Sequence, residues 1–447
     1  MMVPIRDFWM KRRLGVHLTR FVGIDWGSQT HQVCVTDEAG KVVGERAFGH
    51  GGGGLSEMAE WLAGLSTGGL GEVGVAIETP RGPVVESLME QQVAVFSINP
   101  KQLDRFRDRF SPAGAKDDRR DAWVLASALR TDAHCLRRIE PTDPVVVELR
   151  EWSRLNEDLT RERVRLANRM RQQLWRYYPQ FLDAVDNEVS ARWALELWHR
   201  APTPSAARRV RETSLAKLLK ERRIRRTDAP ALRAKLRAPA VRVAPGAVEA
   251  AVTHIELVVE RLELVNAQIE RAERAMDALV AGLVEAPARD EPDASVELDE
   301  PTAAATPPSD AAILLSVPGV GTKVLATLLA DGGDAVRRRD YDALRCLCGV
   351  APVTRRSGKS LFVTRRLAAH HRLRDAAYHW ARNAMQKDPV SREKYRALRA
   401  RGHGHARALR SVADRLLGVT CVLLRNGTVF DVSRAEARVA NGSATAR

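Results

Sequence analysis

Four carboxylates in the first third of the sequence have the spacing of a divalent-metal site. Asp25 and Glu78 each end a short apolar run that is typical of a buried strand. Asp118 and Asp121 are three residues apart at the start of an apolar segment, so on a helix they share one face. Mg²⁺ or Mn²⁺ prefers such oxygen ligands. Two ions about 4 Å apart would stabilise both the attacking and the leaving oxygen of a phosphoryl transfer.

Each of these acids also has an ordinary explanation as a surface charge or a helix cap. Asp117 and Asp121 form an i, i+4 pair, so spacing alone does not choose between Asp117 and Asp118 as the third ligand. Asp25 is the most telling of the four, because a carboxylate that follows Val22–Ile24 in a core strand needs a partner.

A serine in a basic loop near the carboxyl end is a candidate nucleophile. Ser357 lies among Arg355, Arg356 and Lys359 and precedes a glycine. Neighbouring cations could stabilise a serine alkoxide and hold a scissile phosphate. The alternative is a serine that only contacts phosphate or water.

The surrounding region has the composition of a nucleic-acid-binding surface. Residues 355 to 410 contain sixteen Lys or Arg against three acids, and Arg365 and Arg366 belong to this set. Upstream, Gly319, Gly321 and Lys323 lie in a turn that predicts a helix-hairpin-helix, whose backbone amides could approach a phosphate. A plain helix–helix turn is the alternative.

The elements that would position these residues change character along the chain. Alternating strands and helices predict an α/β domain first, with Gly51–Gly54 as a flexible joint, and apolar residues at helical spacing then predict a coiled-coil pair. The predicted divisions are a leader (1–19), an α/β domain (20–144), a helical coiled-coil region (145–284), an acidic proline-rich linker (285–310), a mostly α domain (311–432) and a tail (433–447).

Bulk composition favours a polyanionic partner. The formal net charge is +15 and the sequence pI about 10.1, and such a balance indicates nucleic acid because bound phosphates release counterions. Five scattered cysteines argue against a disulfide framework. No apolar run is long enough to span a bilayer, so no membrane partner is expected.

Together these motifs resemble the insertion sequence 110 transposases, the DEDD transposases. The resemblance covers residues 20–140 and 311–432. It rests on these segments: Val22-Gly23-Ile24-Asp25, Ile77-Glu78, Lys116 to Ala122, Pro318-Gly319-Val320-Gly321, Leu328 to Asp331, Gly349-Val350-Ala351-Pro352, Ser357-Gly358, Arg401-Gly402 and Ala413 to Leu417. It departs at Gln29, where many relatives carry lysine, and at 367–372, which differ from the usual Arg-Gly-Asn run.

The resemblance implies an RNase H-like (RuvC-like) first domain in which Asp25, Glu78, Asp118 and Asp121 bind Mg²⁺ or Mn²⁺. It implies that Ser357 attacks a DNA phosphodiester and holds it as a phosphoserine. It further implies a structured guide (bridge) RNA, element-end and target DNA, a homodimer or homotetramer whose two halves act together, and a cytoplasmic, nucleoid-associated protein.

The sequence leaves three other functions open. A sugar-kinase-like or actin-like ATPase shares the first phosphate loop, but would need a second glycine-rich Asp motif. A RuvC-like structure-specific nuclease would use the carboxylates and water without the serine. A nucleic-acid-binding protein without catalysis would keep only the basic surface. ATP hydrolysis would identify the first, and a covalent DNA adduct separates the transposase from the other two.

Overall fold

The computed structural model describes residues 17–110, 117–140, 143–244, 246–286, 307–358 and 360–431. The chain forms two compact units that divide between Thr142 and Asp143. The predicted leader up to residue 16, most of the acidic linker, Lys359 and the tail from residue 432 lie outside the described residues. The finer division of the second unit stays a prediction.

A six-stranded mixed sheet forms the centre of the first unit, in the order β3-β2-β1-β4-β5-β6. Its strands are β1 (Arg20–Trp26), β2 (Thr30–Thr36), β3 (Val42–Gly49), β4 (Val73–Ile77), β5 (Ala94–Ser97) and β6 (Arg137–Arg138). β1 pairs in parallel with β4, and β4 with β5, whereas β2, β3 and β6 are antiparallel to their neighbours. The α/β prediction for this part of the chain is confirmed.

Helices cover both faces of this sheet. They are α1 (Gly52–Gly64), α2 (Pro83–Glu90), α3 (Pro100–Phe110) and α4 (Asp118–Asp132). α1 and α2 share one apolar core with the strands, and α3 and α4 share the other. Coverage on both sides explains why β4 is an uninterrupted apolar run that is buried throughout.

The predicted flexible joint at Gly51–Gly54 is wrong. Gly52 begins α1, and a Cβ on Gly54 would lie 2.1 Å from the carbonyl oxygen of Gly49. The glycine at 54 therefore allows the helix to start directly against the end of β3.

Two long helices dominate the first half of the second unit. α5 (Pro144–Tyr177) and α11 (Ala247–Glu285) pack along each other, as the apolar spacing predicted; their description as a coiled coil stays a prediction. The short helices between them are α6 (Pro179–Ala184), α7 (Arg192–Arg200), α8 (Pro204–Arg209), α9 (Glu212–Glu221) and α10 (Ala229–Leu236). These join the same apolar core.

The rest of the second unit is mostly helical. Its elements are α12 (Asp310–Ser316), α13 (Thr322–Arg337), α14 (Tyr341–Leu347), β7 (Val353–Ser357), β8 (Ser360–Thr364), α15 (His371–Lys387), α16 (Pro389–Ala400) and α17 (His405–Asn426). Trp380 is fully buried in a core that also holds Leu149 of α5 and Met276 of α11. Among the described residues, no helix is long and apolar enough to cross a membrane.

Candidate functional site

Asp25 and Glu78 lie beside each other at the carboxyl ends of two neighbouring parallel strands. Ile24 of β1 is in register with Ile77 of β4, and the two carboxylates are the next residues on their strands. Adjacent strands are about 4.8 Å apart, so the two backbones are neighbours at this edge. Both acids are half-buried, and Asp25 already has a partner within the described structure.

Helix α4 is pressed onto β1 at this end of the sheet. A Cβ on Gly23 would lie 1.9 Å from the carbonyl oxygen of Ala122 and 2.5 Å from the amide nitrogen of Ala126. Only glycine permits this approach. Because side chains alternate along a strand, Asp25 is on the same face as Gly23, the face that meets α4. Asp121, directly before Ala122, is thereby brought to that face of the sheet.

Asp121 is held by an arginine that sequence reasoning missed. Arg107 of α3 donates to both oxygens of the Asp121 carboxylate, at 2.5 and 2.7 Å, and Asp121 is 1% exposed. Burial lowers the pKa of Arg107, but the bonds and charge of Asp121, with the charges of Asp104 and Glu78, raise it overall. Arg107 is therefore bonded to one of the predicted ligands, Asp121, and its charge also acts on a second, Glu78. No sequence pattern around residue 107 indicates this role.

The start of α4 distinguishes Asp117 from Asp118. Asp117 is the N-cap, and its side chain accepts from the backbone N–H of Arg119 at 3.3 Å. Arg119 donates to both oxygens of Glu45 on β3, at 2.8 and 2.6 Å, which anchors the first helical turn. Asp118 begins the helix and is exposed. With Asp117 engaged as a cap, Asp118 has the more available carboxylate.

The donor set is suited to a divalent cation, although the oxygens are not closely clustered. Among the described residues, no three of the four carboxylates have ligand oxygens that all lie within 4.8 Å; the group that meets this distance is Asp132, His134 and Cys135, at the other end of α4. A carboxylate accepts at about four positions, so Arg107 leaves about half of the capacity of Asp121 for a metal ion.

The candidate nucleophile lies at the tip of an exposed hairpin. Ser357 ends β7 and is paired with Ser360 of β8, and Gly358 in the turn has φ +55°. Strand alternation puts Arg355 on the same face as Ser357 and Arg356 on the opposite face. Of the two described arginines that flank the serine, Arg355 therefore shares its face of the hairpin; Lys359 lies outside the described residues.

Both strands of this hairpin are exposed. Leu361 is 63% exposed, and Phe362 and Val363 are each 64% exposed. The hairpin therefore presents an apolar surface to solvent on strands that, as an isolated pair, are at best marginally stable in water.

The other predicted nucleic-acid contacts have different surroundings. Gly319 has φ +87°, and a Cβ there would lie 2.5 Å from the amide of Ala384, so this glycine serves packing against α15. Gly321 is the N-cap of α13 with open space around it. Lys323 forms an ion pair with Glu273 of α11 at 2.7 Å, so part of its charge is already neutralised.

Two further predicted contacts follow β8. Arg365 is exposed, and Arg366 is half-buried with an Nε that has no hydrogen-bond partner in the described part of the chain. An unpartnered buried donor is costly, so Arg366 gains from any acceptor that reaches it.

Comparison with known proteins gives a consistent family. The sequence-family model of DEDD transposases matches residues 22–179. The sequence-family model described as "Transposase IS116/IS110/IS902 family" matches residues 311–396. The sequence is 33% identical over 434 residues to the "Mini-circle putative transposase for IS117" of Streptomyces coelicolor, covering 96% of this chain and 99% of that protein.

Two further relatives agree with this. The "Putative transposase y4uE" of Sinorhizobium fredii is 59% identical over 211 residues, 47% of this chain and 58% of that protein. The "Insertion element IS110 uncharacterized 43.6 kDa protein" of Streptomyces coelicolor is 28% identical over 424 residues, 92% of this chain and 95% of that protein.

Proposed function

Because the chain belongs to the IS110 family of transposases, we propose that it cuts and rejoins insertion-sequence DNA with two sets of residues: a carboxylate tetrad and a serine nucleophile. The observation that carries the first set is the placement of Asp25 beside Glu78 at the strand ends, with α4 pressed against β1 through Gly23. The α/β unit is the RuvC-like domain of this proposal.

In this proposal, the tetrad of Asp25, Glu78, Asp118 and Asp121 holds the divalent ions that the DEDD family implies. The bound ions would supply electrostatic stabilisation of the oxygens that gain charge at the phosphate. The protein orients the ligands: the strand register holds Asp25 and Glu78, and Arg107 fixes the position of Asp121. Mg²⁺ or Mn²⁺ suits an all-carboxylate set.

Ser357 supplies the nucleophile. Its Oγ forms a bond to phosphorus while a bond from phosphorus to a deoxyribose oxygen breaks. The serine gives up its proton, and the leaving oxygen takes one up. The exposed position at the hairpin tip makes Ser357 accessible to a DNA strand, and Arg355 on the same face would stabilise charge on the phosphoryl oxygens. Gly319, Gly321, Lys323, Arg356, Lys359, Arg365 and Arg366 complete the proposed nucleic-acid contacts.

Partners beyond DNA are part of the same proposal. The net charge of +15 fits polyanionic partners, and the family resemblance implies that one of them is a structured guide RNA from the element. The exposed apolar hairpin supports assembly as a homodimer or homotetramer in which both sets of residues act on one phosphodiester.

A covalent trap tests the proposal. The purified full-length protein is incubated with element-end DNA, Mg²⁺ and RNA copied from the element's flank, and a denaturing gel is read for DNA attached to protein. Ser357→Ala should abolish the adduct and strand exchange while leaving DNA and RNA binding nearly intact. Ser360→Ala, its exposed partner across the hairpin, is the matched control and should keep the adduct.

The alternatives give different gels. Cleavage without an adduct, unchanged in Ser357→Ala, would identify a metal-dependent RuvC-like nuclease that lacks serine chemistry. Nucleic-acid binding without any cleavage would identify a non-catalytic binding protein. Either result would overturn the serine mechanism.

A further inference from the structure

A cationic cavity lies in the second unit, and Ser357 is not among the residues that line it. It has a volume of about 230 Å³ and is lined by residues from four segments: those that follow α14, one that follows β8, and residues of α15 and α17. Three arginines line it, Arg365, Arg374 and Arg410, against one acid, Asp375. We call this the arginine pocket.

The charges of the arginine pocket are largely uncompensated. Asp375 forms its ion pair with Arg374, at 3.1 Å. The side chains of Arg365 and Arg410 have no hydrogen bond or ion pair within the part of the chain that the structure describes. Burial, followed by the charges of Arg365 and Arg407, lowers the pKa of Arg410. Like charges that outnumber the neighbouring acids are unfavourable until an anion joins them.

The remaining walls are also suited to an anion. Part of the lining is apolar, including Ala377 and Leu409, and low polarity strengthens the attraction between a guanidinium and a bound anion. Ala406 belongs to the first turn of α17, a 22-residue helix whose N-cap Gly404 offers no side-chain acceptor. The backbone N–H of Arg407 is bonded to the carbonyl oxygen of Gly404 at 3.0 Å, which leaves the N–H groups of His405 and Ala406 at this helix end, where the dipole favours an anion.

We propose that the arginine pocket binds a phosphate of the nucleic-acid backbone, with Arg410 as its central contact. This rests on the proposed function, which supplies DNA and RNA as ligands. Arginine guanidinium groups suit phosphate because they donate two hydrogen bonds in a fixed geometry. The pocket would hold the strand at a point separate from the nucleophile, so it positions the nucleic acid and takes no part in the chemistry.

The test uses the full-length protein with fluorescein-labelled single-stranded DNA and RNA of one sequence, titrated over a range of salt concentrations. Arg410→Gln should weaken binding about tenfold and lower the salt dependence by about one phosphate contact. The melting temperature of the free variant should stay the same or rise, because the substitution removes charge repulsion. Arg410→Lys should recover part of the affinity.

Arg396→Gln on α16 is the matched control, since Arg396 is exposed and outside the pocket. It should change affinity and salt dependence little. If Arg410→Gln loses affinity for only one of the two nucleic acids, the pocket is assigned to that ligand. A loss of affinity for both supports a shared phosphate site. If Arg410→Gln binds nucleic acid as tightly as Arg396→Gln does, phosphate binding in the arginine pocket is refuted while the proposed function stands. If the wild-type protein binds neither strand, the proposed function itself fails.

Discussion

Replacing Arg107 is the most direct test of how the candidate carboxylate site is held together. Arg107→Ala leaves the Asp121 carboxylate, 1% exposed, without the two bonds that neutralise it. Removing one partner of a buried ion pair costs about 3–5 kcal/mol. The Arg107 side chain is 23% exposed, so water can partly replace it and the lower end, about 3 kcal/mol, applies. For a unit of this size that corresponds to a fall of about 10 °C in melting temperature.

Calorimetry of the full-length protein in EDTA measures this loss. Arg105→Ala on the same helix is the control, because Arg105 is exposed. In the double variant Arg107→Ala/Asp121→Asn, most of the loss of stability should disappear, because no buried carboxylate charge remains to be neutralised. A coupling below about 0.5 kcal/mol between the two positions would refute the reasoning, because distant, independent sites add to within that range.

The change in melting temperature on adding Mg²⁺ is a second measurement on the same variants. If Arg107 occupies acceptor positions that a cation also uses, Mg²⁺ should raise the melting temperature of Arg107→Ala more than that of the wild type. Equal increases in the two proteins would show that Arg107 and the ion do not compete for the same acceptor positions of Asp121.

Three further outcomes follow from the geometry. Arg355→Ala should reduce the covalent adduct on the denaturing gel about 100-fold, and Arg356→Ala should reduce it much less, because only Arg355 shares the face of Ser357. Equal losses of adduct in the two variants would contradict the role proposed for Arg355. Burial, and to a lesser extent the charge of His50, lowers the pKa of His31 below 6.5. The unfolded chain therefore binds the proton more readily, and the free energy of unfolding falls as the pH drops through 6.5. In thermal unfolding, His31→Phe should flatten this dependence of stability on pH, and an unchanged dependence would refute the interpretation. Asp25→Asn, or EDTA, should stop cleavage on the gel while DNA binding persists, and cleavage that survives either change excludes the metal site.

The sequence predicts most of the first unit because its signals are local. Apolar runs such as Val73–Ile77 are short and bounded by turn residues, and a sheet covered on both faces requires that pattern. Asp25 is recognisable because it ends a core strand where a charge needs a partner. The long helices of the second unit follow from apolar spacing over many turns.

What the sequence does not predict depends on contacts between distant segments. Arg107 reaches Asp121 across two helices, and Lys323 is paired with Glu273, fifty positions earlier in the chain. The short helices between residues 179 and 236 have at most ten residues each, too few turns for apolar spacing to identify them. The arginine pocket collects residues from four separate segments, and basic composition alone does not indicate where they converge.

The close contact at Gly23 has a consequence for how copies of such an element lose activity. One added methyl group there would push α4 away from β1 and carry Asp121 off the sheet edge, although every charged side chain would be retained. Comparing only the proposed catalytic residues among genomic copies would count such a copy as intact. An inventory of working elements therefore has to include position 23 as well as the proposed acids and serine.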